Sequence, residues 1–94
     1  MSAHEKFNAQ MEEQLKAIKA GIDGAKTKAE ARGREFFDRY EKDLTKLECK
    51  YDLARYKLTL LRKGGQSAWS EMKAGFERAF HDLKEALGKA SKKF

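Results

Sequence analysis

His81 stands four residues after Glu77 and four before Glu85, so on a helix the three side chains share one face. An imidazole between two carboxylates is a donor set that a divalent metal accepts. Charged helix surfaces produce the same triplet without any metal, and the other histidine, His4, is far away in sequence. The single cysteine, Cys49, has no second thiol for a metal pair or an internal disulfide. No glycine-rich phosphate loop occurs, and no nucleophile, base and orienting group stand at a recognisable spacing. The sequence therefore predicts no catalytic residue, no metal, no cofactor and no small-molecule substrate. Cys49 lies among apolar helical positions and reads as a buried thiol in a reducing compartment.

The remaining chemistry is charge. The chain carries 21 Lys and Arg against 15 Asp and Glu, a formal +6. Between Asp52 and Glu71 lie Arg55, Lys57, Arg62 and Lys63 with no acidic residue, and Lys89, Lys92 and Lys93 follow near the end. Phosphate binding needs clustered cations that release counterions. At about 100° per residue, however, Arg55 and Lys57 point roughly 200° apart. This candidate basic patch predicts at most weak, sequence-indifferent nucleic-acid binding.

What would position these groups is helical throughout. The chain has 94 residues, is 38% charged and contains no proline, the profile of long helices or a coiled coil. Nothing alternates with the period of two that a strand needs. Ser2, with Glu5 three residues on, forms a capping-box pattern that starts a helix near residue 4. From Phe7 the apolar positions run through Met11, Leu15, Ile18, Ile22, Ala25, Ala29 and Gly33 to Phe36, Phe37 and Tyr40 in steps of three and four. They continue in phase through Leu44, Leu47, Tyr51, Ala54, Leu58 and Leu61. The spacing predicts one helix over about 4–63, roughly 90 Å long if unbroken, with Gly21 to Gly24 the place where a kink would fall. It ends at Arg62-Lys63-Gly64-Gly65, cations followed by glycine, with a turn over 64–66.

The segment from Cys49 to Leu61 is apolar on two sides: Tyr51, Ala54, Leu58 and Leu61 on one, Cys49, Leu53, Tyr56 and Leu60 on the other. Such a segment asks for neighbours on both. Leu44, Leu47, Tyr51, Leu53, Ala54, Tyr56, Leu58, Leu60 and Leu61 are the candidate oligomer interface.

After Ser67, a second helix over about 67–92 repeats with a period of eleven: Ala68-Trp69-Ser70-Glu71-Met72-Lys73 is answered by Ala79-Phe80-His81-Asp82-Leu83-Lys84. Trp69, Met72, Phe76, Phe80, Leu83 and Leu87 form an amphipathic face bordered by Lys73 and Lys84. Together with Lys57-Leu58 and Leu61-Arg62, this tail resembles small bacterial coiled-coil-domain proteins that share the form A-W-x-x-L-K-x-G-x-x-x-A-W-x-x-L-K. Phe80 stands where a second tryptophan is common and Met72 where leucine is. The resemblance covers about residues 50–94 and implies a helical bacterial protein; it carries no functional residue with it.

The expectation is a single all-α domain over 1–94 that forms a coiled-coil or helical-bundle assembly, an antiparallel dimer or four-helix bundle, with a monomeric three-helix bundle turning at Gly21 to Gly24 as the competing architecture. The function expected is self-association or scaffolding as a homo-oligomer or with another helical protein. Its rival is binding to an anionic membrane surface through the amphipathic C-terminal helix. No run is long enough to cross a bilayer and no leader-like stretch opens the chain, so a cytoplasmic location is expected.

Overall fold

The chain begins as its cap predicts. Ser2 Oγ accepts the backbone N–H of Glu5 at 3.2 Å, and the Ser2 hydroxyl and Glu5 carboxylate lie 3.3 Å apart. This satisfies one of the orphan donors of the first turn and starts α1, Ala3–Ala31. The computed structural model describes residues 2–64 and 66–93.

Helix α1 runs through Gly21 and Gly24 without a break and stops at Arg32-Gly33 instead. The long helix expected over 4–63 is therefore two helices, α1 and α2, Arg34–Lys63. The cause is local and global together. Gly33 sits at φ 103° and ψ 165°, a conformation essentially restricted to glycine. The Arg32 N–H closes the helix on the carbonyls of Lys28 and Ala29, and Gly33 O accepts the Phe37 N–H at 3.0 Å to open the next one. Turning there folds one apolar stripe onto the other, which an unbroken rod could not do.

Helix α2 ends at Lys63, where the Gly64 N–H bonds Leu60 O at 2.8 Å. Gly64 is extended, and what it supplies is room: a Cβ there would lie 2.6 Å from Met72 Cε. The expected turn also involves Gly65, which lies outside the described residues. A 3-10 turn over Gln66–Ala68 contains Ser67 and leads into α3, Trp69–Lys93, which begins two residues later than expected.

The described residues are thus all-α, with no strand among them. Helices α1 and α3 both pack on α2, and one core takes residues from all three: Leu15, Ile18 and Ile22; Leu47, Tyr51, Ala54, Leu58 and Leu61; Phe76, Phe80, Leu83 and Ala90. A smaller cluster of Ala25, Ala29 and Leu44, with Phe36 and Phe37 against it, fills the end beside Gly33. Gly21 faces α3, where a Cβ would lie 3.3 Å from Leu87 Cδ2, so the absent side chain permits close approach of the two helices. The molecule measures 50 × 20 × 18 Å, with a radius of gyration of 15.2 Å; a compact domain of this length would give roughly 12 Å.

Surface ion pairs fix the register. Glu12 reaches across to Arg62, Lys26 to Glu48 at 3.9 Å, Lys50 to Asp82 at 2.5 Å and Lys93 to Asp43 at 3.0 Å. Each is exposed and contributes about 1 kcal/mol or less. Glu12 thus pairs between helices, while the Lys16 amine one turn along lies 3.8 Å from Glu13.

Candidate docking surface on the second helix

Helix α2 has two apolar sides and, within this chain, neighbours for one. Leu44, Leu47, Tyr51, Ala54, Leu58 and Leu61 are buried against α1 and α3. These six were expected at an oligomer interface; they form the chain's own core, because the turn at Gly33 brings α1 back over them. The other three expected interface residues remain outside. Leu53, Tyr56 and Leu60 are 48%, 59% and 41% exposed, and among the described residues they are the large hydrophobic side chains most open to water. Cys49, expected to be buried, is exposed as well. With α1 and α3 both on the inner side, no other helix among the described residues reaches the outer one.

The four outer residues follow one another at spacings of four, three and four, so they form a straight stripe about 16 Å long on a helix. Exposed charges close it at both ends, Lys42 and Lys46 before Cys49 and Lys63 after Leu60. Its flanks differ in sign. With Cys49 at 0° and about 100° per residue, Leu53, Tyr56 and Leu60 stay within roughly 40° of it, Lys57 lies near 80° and Asp52 near 300°. The Lys57 flank is the α3 side, where its amine lies 3.8 Å from the position of a Cβ on Gly75, and where Lys50 holds Asp82. The Asp52 flank is the α1 side, where Glu48 meets Lys26. Neither Asp52 nor Lys57 has an ion-pair partner among the described residues. In the sequence Lys57 falls within the candidate basic patch and Asp52 at its N-terminal limit. The signal available was their position on either border of one apolar stripe.

The basic patch does not come together. Arg55 and Arg62 line a shallow groove of about 430 Å³ between α1 and α2, with Glu12, Lys16 and Tyr51 among its other walls, and Glu12 engages Arg62. Lys57 points to the opposite side of α2, and Lys63 lies at its end.

The amphipathic face of α3 is covered from within. Phe76, Phe80 and Leu83 are buried, and Trp69, Met72 and Leu87 pack against the same core. The bordering lysines cap its rings: the Lys73 amine lies 4.8 Å from the Phe7 ring centre and 5.3 Å from that of Trp69, and Lys84 lies 5.6 Å from that of Phe80.

His81 is exposed, and among the described residues no group of three His, Cys, Asp or Glu side chains is placed to hold a metal ion. Lys19, also exposed, is held above the ordinary lysine value first by its hydrogen bond to Asp23, at 3.2 Å, and then by that carboxylate's charge. The pair spans one turn of α1 and serves that helix. Among the described residues, no helix is long and apolar enough to cross a membrane.

Comparison of the chain with family models, with curated proteins and with solved structures gives no match.

Proposed function

We propose that this chain is a non-enzymatic helical assembly module whose binding surface is the outer stripe of α2, and that its occupant is a second copy of the same chain. The observation that carries this reading is the exposure of Leu53, Tyr56 and Leu60 in one line on a helix whose other apolar side is already buried. A stripe bordered by a free acid on one flank and a free base on the other is complementary to itself, which points to a second copy. The formal +6 of each copy opposes pairing, but charges spread over a 50 Å rod are mostly separated by more than the roughly 8 Å Debye length of physiological salt. Three large side chains and a thiol make a small interface, below the roughly 1,200 to 2,000 Å² of stable complexes, so the dimer is weak and concentration-dependent.

The burial of Phe76, Phe80 and Leu83 favours this reading over lipid binding through α3, since that face would have to leave the core to meet a membrane. The test is a dilution series followed by amide NMR. Shifts and broadening confined to residues 46–63 as concentration rises support the stripe. Changes centred on α3, or appearing only with anionic vesicles, would replace it with the membrane reading.

A further inference from the structure

We infer that two copies pair through the α2 stripe with their helices parallel and in register, the Asp52 carboxylate of each facing the Lys57 amine of the other. The inference rests on the self-association proposed above and adds its geometry. When two like helices run parallel about a twofold axis along the stripe, the left border of one meets the right border of the other, offset by about five residues toward the C-terminus. Asp52 plus five is Lys57, and the twofold gives the contact twice. When the helices run antiparallel, like borders meet. Centring the stripe on itself then sets Leu53 against Tyr56 and Cys49 against Leu60, and on the basic border Lys50 meets Lys57 twice, while Asp52 finds only Thr59. Opposite charges in one arrangement replace like charges in the other. The lysines that close the stripe do not discriminate, because Lys46 and Lys63 meet themselves in the parallel pair and each other in the antiparallel one.

The core of the parallel stripe also places Cys49 against Cys49, with Cα atoms at the short separation that a disulfide spans. In the antiparallel pair the two thiols stand about 16 Å apart along the axis. Cys49 is thus a reporter of orientation.

The experiment uses the full chain. First, sedimentation equilibrium is measured for the wild type, Lys57→Asp and the exchanged Asp52→Lys/Lys57→Asp. The parallel pair predicts a roughly three- to tenfold weaker dimer for Lys57→Asp, where acid now meets acid, and recovery in the exchange. Second, diamide, a mild thiol oxidant that converts two thiols to a disulfide while it is reduced to the hydrazine, should trap wild-type dimer through Cys49. Leu60→Cys in a Cys49→Ser background should cross-link likewise. A dimer that tightens on Lys57→Asp, and that is trapped efficiently only when Cys49 and Leu60→Cys are present together, would overturn the parallel geometry while leaving self-association standing. Absence of any dimer in the wild type at millimolar concentration would overturn both.

Discussion

The imidazole of His4 lies flat on the indole of Trp69, their ring centres 3.8 Å apart and their planes within 4°. The first turn of α1 is thereby tied to the first turn of α3, and Phe7 completes the contact, edge-on to Trp69 at 5.7 Å and to Phe76 at 6.0 Å. Trp69 Nε1 is shielded from water and has no hydrogen-bond acceptor among the described residues, so the indole is held by ring stacking, by its packing on the core and by Lys73 rather than by a hydrogen bond. His4→Ala should lower stability by about 0.5–1.5 kcal/mol, the usual worth of an aromatic pair beyond its buried area, and shift Trp69 emission to the red. Trp69→Phe keeps a ring there and sheds the unpaired N–H, and should cost less than Trp69→Ala. Denaturant unfolding followed by circular dichroism compares the three; equal losses for Phe and Ala at position 69 would mean that the ring contacts do not stabilise the fold.

Glycines should divide by position. Gly33→Ala forces a side chain into a backbone conformation that it resists, and should cost about 1–3 kcal/mol. A Cβ on Gly24 or Gly88 meets nothing within 4 Å, and both lie inside helices. Alanine at either should raise stability by about 0.5–1 kcal/mol. Thermal melts read all three; stabilisation by Gly33→Ala would remove the turn described there.

This contrast shows what the sequence displayed and what it hid. The capping box at Ser2 and Glu5 involves a few neighbouring residues, and it could be read from them alone. The two apolar sides of α2 were equally legible, since a period near 3.6 determines which residues share a face. The turn at Gly33 is hidden, because Ala29, Gly33, Phe36 and Phe37 keep the stripe in phase and a glycine passes for a small stripe residue. Gly21 and Gly24 look like the weaker point, but their surroundings stay helical. Even so, Lys28 and Arg32 before Gly33 carry the same cations-then-glycine signal as Arg62-Lys63-Gly64. Which side of α2 the chain would cover for itself depends on how many helices fold back, and that count turned on one glycine 16 residues before Cys49.

Inner and outer α2 substitutions should behave in opposite ways. Leu58 is 3% exposed, and Leu58→Asp buries an unpaired charge; a loss of about 4 kcal/mol or more is expected, enough to unfold much of the population. Leu53→Asp places the same charge in water and should leave helicity and melting temperature of dilute protein nearly unchanged. Circular dichroism at micromolar concentration distinguishes them. Unfolding by Leu53→Asp would mean that the outer stripe belongs to the core.

The most direct measurement is sedimentation equilibrium of the wild type beside a Leu53→Ser/Tyr56→Ser/Leu60→Ser variant, both from micromolar to millimolar concentration at 150 mM salt. The stripe predicts a wild-type mass rising from one copy, 10.8 kDa, toward two, while the variant keeps its helicity and stays at one. A wild type that remains monomeric throughout, or a folded variant that associates equally well, would contradict it.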